Sequence, residues 1–198
     1  MSSKTLLDKI SNLLNGDKKE SIHRKLEVFV SENAHKVLKS VWVNVKLGVY
    51  KNGERLLGAM QALGFVFGSW AEKLLSSPNF PVSSTEIEVD LVELHVGKDL
   101  GFENGSTWSK IFEKIVELGY ELCPAEVGPV LRMKHDKQIK NEFRWVAMQP
   151  IMVGGYFHVF YVDHRGGGRW LSASDCTDSD FSMASDFVVV AVRPRKVS

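Results

Sequence analysis

Two cysteines are all the chain contains, Cys123 and Cys176, far apart and in no CxxC spacing. That is too few for a disulfide scaffold and the wrong pattern for a zinc site, so the expected state is two reduced thiols. No run approaches the roughly 18 consecutive apolar residues of a membrane-spanning helix. The stretch from Met1 to Gly16 carries Lys4, Asp8 and Lys9 through its apolar positions, unlike a secretory signal peptide. A cytoplasmic location with no membrane partner is therefore expected. Internal repeats and low-complexity segments are absent as well. There is little net charge, +1 in all, but it is spread unevenly. Basic residues outnumber acidic ones 11 to 6 in residues 1–60 and 10 to 7 in 131–198, while acids lead 11 to 4 in 61–130. The simplest use of such halves is mutual neutralisation across the fold.

What is present is average globular composition, with 44% hydrophobic and 25% charged residues, enough to build a core at this length. Leu6, Leu7, Ile10, Leu13 and Leu14 have helical spacing. Ile22, Leu26, Phe29, Val30, Ala34 and Val37 make the apolar stripe of a longer helix over 18–39, whose wet face is basic. The period then changes to two: Val41, Val43, Val45, Leu47 and Val49 predict a strand, closed by a turn at Lys51-Asn52-Gly53. Leu56, Leu57, Met60 and Leu63 predict a short helix ending at Gly64. Ser69 and Glu72 have the spacing of a capping box opening another.

The run from Glu86 to Leu94 alternates acids and aliphatics and predicts a strand with one acidic face. Trp108, Ile111, Phe112, Ile115 and Leu118 predict a helix with its paired charges outside. Four β-rich runs complete the chain, over 143–153, 156–163, 169–174 and 187–192, separated by glycines and by a polar connection. The expected fold class is α+β, with N-terminal helices and a mostly antiparallel sheet completed by a C-terminal four-strand meander. The expected division is a helical segment over 1–40 and an α+β domain over 41–198.

Val89-Asp90-Leu91-Val92, Leu100-Gly101-Phe102, the block from Glu121 to Pro129 with Leu131-Arg132, and Trp145-Val146-Ala147-Met148 with Pro150-Ile151 form a pattern. Together they resemble a family of bacterial proteins, many from uncultivated lineages, for which no activity is established. Where that pattern runs on with Gln-Pro, this chain has Gln138-Ile139. The resemblance implies a bacterial, cytoplasmic setting and assigns no catalytic residue, cofactor or partner.

Cys123-Pro124-Ala125-Glu126-Val127-Gly128-Pro129 is the least ordinary local sequence. Pro124 suits a first helical turn, and Gly128-Pro129 is expected to break or kink the helix soon after it starts. One reading makes Cys123 a thiolate nucleophile with His135 as base and Glu126 as orienter. The plainer reading is a buried thiol beside a helix start, and it is the one expected. His158 and His164 fall on one strand face and Asp163 on the other, a poor arrangement for a metal, and no metal site is expected. Arg165-Gly166-Gly167-Gly168-Arg169 could cradle a phosphate, but a tight hairpin explains the glycines better. Asp175, Asp178 and Asp180 lack the glycine and distal glutamate of a calcium loop. The helices on either side of Gly64 invite a helix-turn-helix reading, yet the second offers too few polar side chains to read base edges.

The function expected from these residues is that of a non-catalytic binding or accessory protein, without a cofactor. Its contact surface would be the acidic face of Glu86, Glu88, Asp90 and Glu93, the basic helix face, or Arg165 and Arg169, and its partner another protein. The alternative from another class is a small hydrolase or transferase centred on Cys123, Glu126 and His135. A third is weak nucleic-acid binding through the basic helix and Arg193-Pro194-Arg195-Lys196, sensitive to salt and without sequence preference.

Overall fold

The computed structural model describes residues 38–177 and 182–195. Nearly all of the expected helical segment over 1–40, together with Asp178, Asp180 and Lys196, lies outside the described residues.

The alternating run after Val41 becomes strand β1, Val43–Leu47. Asn52 then does more than turn the chain. Its Oδ1 accepts the Arg55 backbone N–H at 2.9 Å and so caps helix α1, Gly53–Ala62, which buries Leu56, Leu57 and Met60. A two-residue strand not expected from the sequence, β2 (Val66–Phe67), separates α1 from α2, Ser69–Leu75. The two helices therefore do not form a helix-turn-helix. Nor does the capping box form: Gly68 is the N-cap, and Ser69 is already helical, one residue too late for its hydroxyl to cap.

The remaining elements are β3 (Ile87–His95), β4 (Ser106–Thr107), α3 (Trp108–Glu117), α4 (Val127–Lys134), β5 (Phe143–Val146) and β6 (Ile151–Val153). Four more strands complete the chain: β7 (Tyr156–Arg165), β8 (Gly168–Asp175), β9 (Ser182–Met183) and β10 (Val188–Val192). Gly154 and Gly155, at φ of +65° and +88°, supply the left-handed pair that a two-residue hairpin between β6 and β7 needs.

The architecture is α+β, with a mixed sheet in the order β1-β3-β10-β5-β7-β8-β2 and β6 also paired to β7. β4 and β9 pair separately. Most pairings are antiparallel; β10 with β5 and β2 with β8 are parallel. The last four β-rich runs are thus not one meander. β5, β6 and β8 each pair antiparallel with β7, but β10 leaves them and inserts between β5 and β3. The physical reason lies in its composition. Val188, Val189, Val190, Ala191 and Val192 are all buried, and only a central strand covered on both faces hides five consecutive aliphatics.

Register identifies the two faces. Val45, Val89, Val190, Val146, Val162 and Leu171 share one of them. Helix α4 lies on that face and touches β1 as well as β7 and β8, strands that stand far apart in the sheet order, so the sheet curls around it. The opposite face carries Leu94, Val189, Trp145 and Tyr161, and Trp108 of α3 packs edge-on against Trp145 with ring centroids 5.7 Å apart. The same register corrects the expected acidic face. A strand alternates every residue, so Glu88 and Asp90 lie on one side and Glu93 on the other.

Candidate functional site

The Cys123–Pro129 block is the passage from the sheet into α4. The Cys123 amide donates to the Ala147 carbonyl at 2.6 Å, aligning the chain beside β5. Its thiol is 3% exposed and donates to the Val190 carbonyl at 3.3 Å. Burial raises its pKa, so the neutral thiol is the favoured form. Pro124 precedes the helix, and Pro129 falls in its first turn, where a missing N–H costs no hydrogen bond. Gly128-Pro129 therefore opens the helix instead of breaking it, contrary to the expectation from sequence. Gly128 has a second reason: a Cβ there would stand 2.7 Å from the Phe160 side chain, so only glycine lets α4 lie this close to β7.

Glu126 is buried, and each of its carboxylate oxygens is taken by a backbone amide. Gly48 N–H donates to Oε1 at 3.1 Å and Ser83 N–H to Oε2 at 2.6 Å. Cys123 and Glu126 line one cavity of about 370 Å³ with Pro81, Val82 and Gln149. His135 does not join them. It closes the other end of α4, a helix about 12 Å long at 1.5 Å per residue.

There the His135 ring meets Trp42 edge-on, 4.9 Å between centroids, and its Nε2 has no hydrogen-bond partner among the described residues. Burial, then the Arg132 and Arg144 guanidiniums, lower its pKa, and Glu93 and Glu142 oppose them. A histidine depressed on folding contributes stability above its unfolded pKa, near 6.5, and loses it as pH falls through the folded value. The melting temperature is accordingly expected to drop from about pH 7 to pH 5 more steeply in the wild type than in His135→Gln. Equal slopes would show that another group is responsible.

One buried charge is not among the site residues expected from sequence, although its position carries a signal. Arg132 follows Gly128 by four residues and Leu131 by one, which puts it on the buried side of α4. It is 1% exposed. Nη1 donates to Gln138 Oε1 at 2.5 Å and to the Asp163 carbonyl at 3.4 Å, and Nη2 donates to the His135 carbonyl. Burial, followed by repulsion from Arg169, pulls its pKa down to about 10, against the attraction of Asp163.

The acidic residues expected to form a contact surface all have ion-pair partners within the fold, with Arg195 shared between two of them. Glu86 pairs with Lys46, Glu93 with Arg144, and Arg195 bridges Glu88 and Asp90 at 3.3 and 2.9 Å. Hydrogen bonds from Arg195 and then Asn44 lower the Asp90 pKa.

On β7, His158 is buried and stacks on Trp70 of α2 at 4.4 Å, its Nδ1 donating to the Tyr156 carbonyl. His164 instead donates from Nδ1 to the Gln138 carbonyl at 2.7 Å. Asp163 is fully buried; its Oδ1 accepts from Ser172 Oγ at 3.0 Å, and Oδ2 lies 2.7 Å from Arg165 Nε. Arg165 and Arg169, placed together from sequence, are divided by the hairpin. Arg165 turns to Asp163 and the Trp170 ring, while Arg169 joins a cleft of about 540 Å³ with Arg132 and His164. Among the described residues, no three His, Cys, Asp or Glu side chains are placed to hold a metal ion, and no helix is long and apolar enough to cross a membrane. No family model, no curated protein and no solved structure matches the chain.

Proposed function

We propose that the chain is a non-catalytic binding protein whose ligand enters the cleft between α4 and the β7–β8 hairpin. The observation that carries this reading is the buried Cys123 thiol, held in its neutral form and donating to the Val190 carbonyl. A cysteine nucleophile needs a thiolate and a base within hydrogen-bond reach. Here the base expected from sequence stands at the far end of α4, and the carboxylate expected to orient it is occupied by two backbone amides. These groups serve the fold. The cleft holding Arg132, Arg169 and His164 has the size of a small-molecule site, roughly 300–1,000 Å³. The proposal includes the bacterial cytoplasmic setting expected from the sequence.

Cysteine reactivity tests it. In a Cys176→Ser background, iodoacetamide at about pH 6 is expected to label Cys123 far more slowly than a free cysteine peptide. Labelling faster than the peptide would reveal a thiolate and promote the hydrolase or transferase reading.

A further inference from the structure

The cleft is built from three places in the chain: the α1–β2 turn at Leu63 to Val66, the last turn of α4 with Asp136 beyond it, and the tip of the β7–β8 hairpin. Its walls differ in character. Leu63, Phe65, Val66 and Met133 supply apolar surface, while Arg132 and Arg169 supply two guanidiniums.

Arg132 is buried, yet among the described residues its three hydrogen bonds all end on uncharged oxygens and its Nε has no partner. The carboxylate that attracts it, Asp163, is already engaged by Arg165 and Ser172. Much of this buried charge is therefore uncompensated, which is costly away from water. Arg169 is exposed at the rim and has no ion pair among the described residues. Two like charges thus border one cavity, and an anion placed between them would relieve both. Asp136 is the only carboxylate in the lining among the described residues, so these fixed groups sum to one positive charge. A monoanion balances that; a dianion leaves a charge unpaired. The hairpin tip also leaves room, since nothing lies within 4 Å of where a Cβ on Gly167 or Gly168 would point.

We propose that this cleft binds a small organic monoanion, a carboxylate on an apolar body, with the carboxylate at Arg169 and the body against Leu63, Phe65 and Met133. The assignment rests on the non-catalytic binding reading and names its ligand class. Arg guanidinium matches a carboxylate in both charge and planar geometry.

Amide chemical-shift titration of the full-length 15N-labelled chain tests it, with benzoate as probe, benzamide as the neutral isostere and phenyl phosphate as the dianion. Benzoate is expected to move the amides of Gly167, Gly168 and the 63–66 turn, and benzamide at the same concentration is expected not to. Phenyl phosphate should bind no more tightly than benzoate. Arg169→Gln, at an exposed position, should keep the wild-type melting temperature and weaken benzoate by about tenfold or more. Shifts that miss the cleft, an equal response to benzamide, or an Arg169→Gln variant binding like wild type would overturn the site. Tighter binding of phenyl phosphate would overturn the monoanion assignment. Silence toward benzoate while Cys123 remains unreactive would remove the anion site alone; rapid Cys123 labelling would remove the binding-protein reading beneath it.

Discussion

A chain ended after Asp186 is expected to yield aggregated or non-cooperatively folded protein, because it lacks β10. That strand fills the gap between β3 and β5, pairing with β3 over five residues and with β5 on its other edge. Val189, Val190 and Ala191 are fully buried, and Val188 and Val192 nearly so. Each buried valine stabilises the fold by about 1.5–3 kcal/mol. Losing four of them with both ladders approaches the whole net stability of a domain, about 5–15 kcal/mol. The loss reaches further still. The Val190 carbonyl accepts from the Cys123 thiol and the Ala147 amide, so the entry into α4 loses its anchor too. Solubility, circular dichroism and a thermal melt of the truncated chain provide the check. A soluble truncate with one cooperative transition would show β10 to be dispensable.

Arg132→Met is the point substitution expected to cost most at the cleft. Methionine fills much of the same volume but leaves the Gln138 side chain and the Asp163 and His135 carbonyls short of a donor. Gln138 depends on that arrangement. Its amide donates to the Glu142 and Val162 carbonyls at 3.0 Å each, tying the loop after α4 to β7. Stranding several buried acceptors costs on the order of 3 kcal/mol, partly offset by no longer burying a charge. At about 2–4 °C per kcal/mol for a chain of this size, the melting temperature should fall by roughly 5–10 °C. The loop should also open, so that trypsin cuts faster after Lys137 and Lys140, whose side chains are already exposed. Arg132→Lys keeps the charge but cannot span three acceptors, so it should recover only part of the loss. An unchanged melt together with unchanged tryptic cleavage would show that the network is not holding the loop.

Elements whose signal is local were legible in the residues alone. The alternation from Val41 gives β1, the helical spacing around Trp108 gives α3, and Gly154-Gly155 gives a hairpin. Elements supported only by a distant partner were not. Two-residue β2 exists because β8 lies beside it. Glu93 is the exception, since period-two geometry alone puts it opposite Glu88 and Asp90. Gly128-Pro129 read as a helix breaker because the start of α4 is set by the close crossing over Phe160, which no local pattern reveals. Arg132 was visible as an arginine on the apolar side of a helix, but its three acceptors come from residues 135, 138 and 163.

By itself the sequence determined the α+β class and the individual amphipathic strands and helices, since burial pattern is a property of successive side chains. Tertiary structure decided which strands became neighbours, because pairing depends on closing long loops around a shared core. It also decided that Cys123 and Glu126 meet while His135 does not, and that Arg132 and Arg169 face one cavity. A curled sheet wrapped around α4 brings residues from three separate stretches to one cleft, and that convergence is a property of the packed chain.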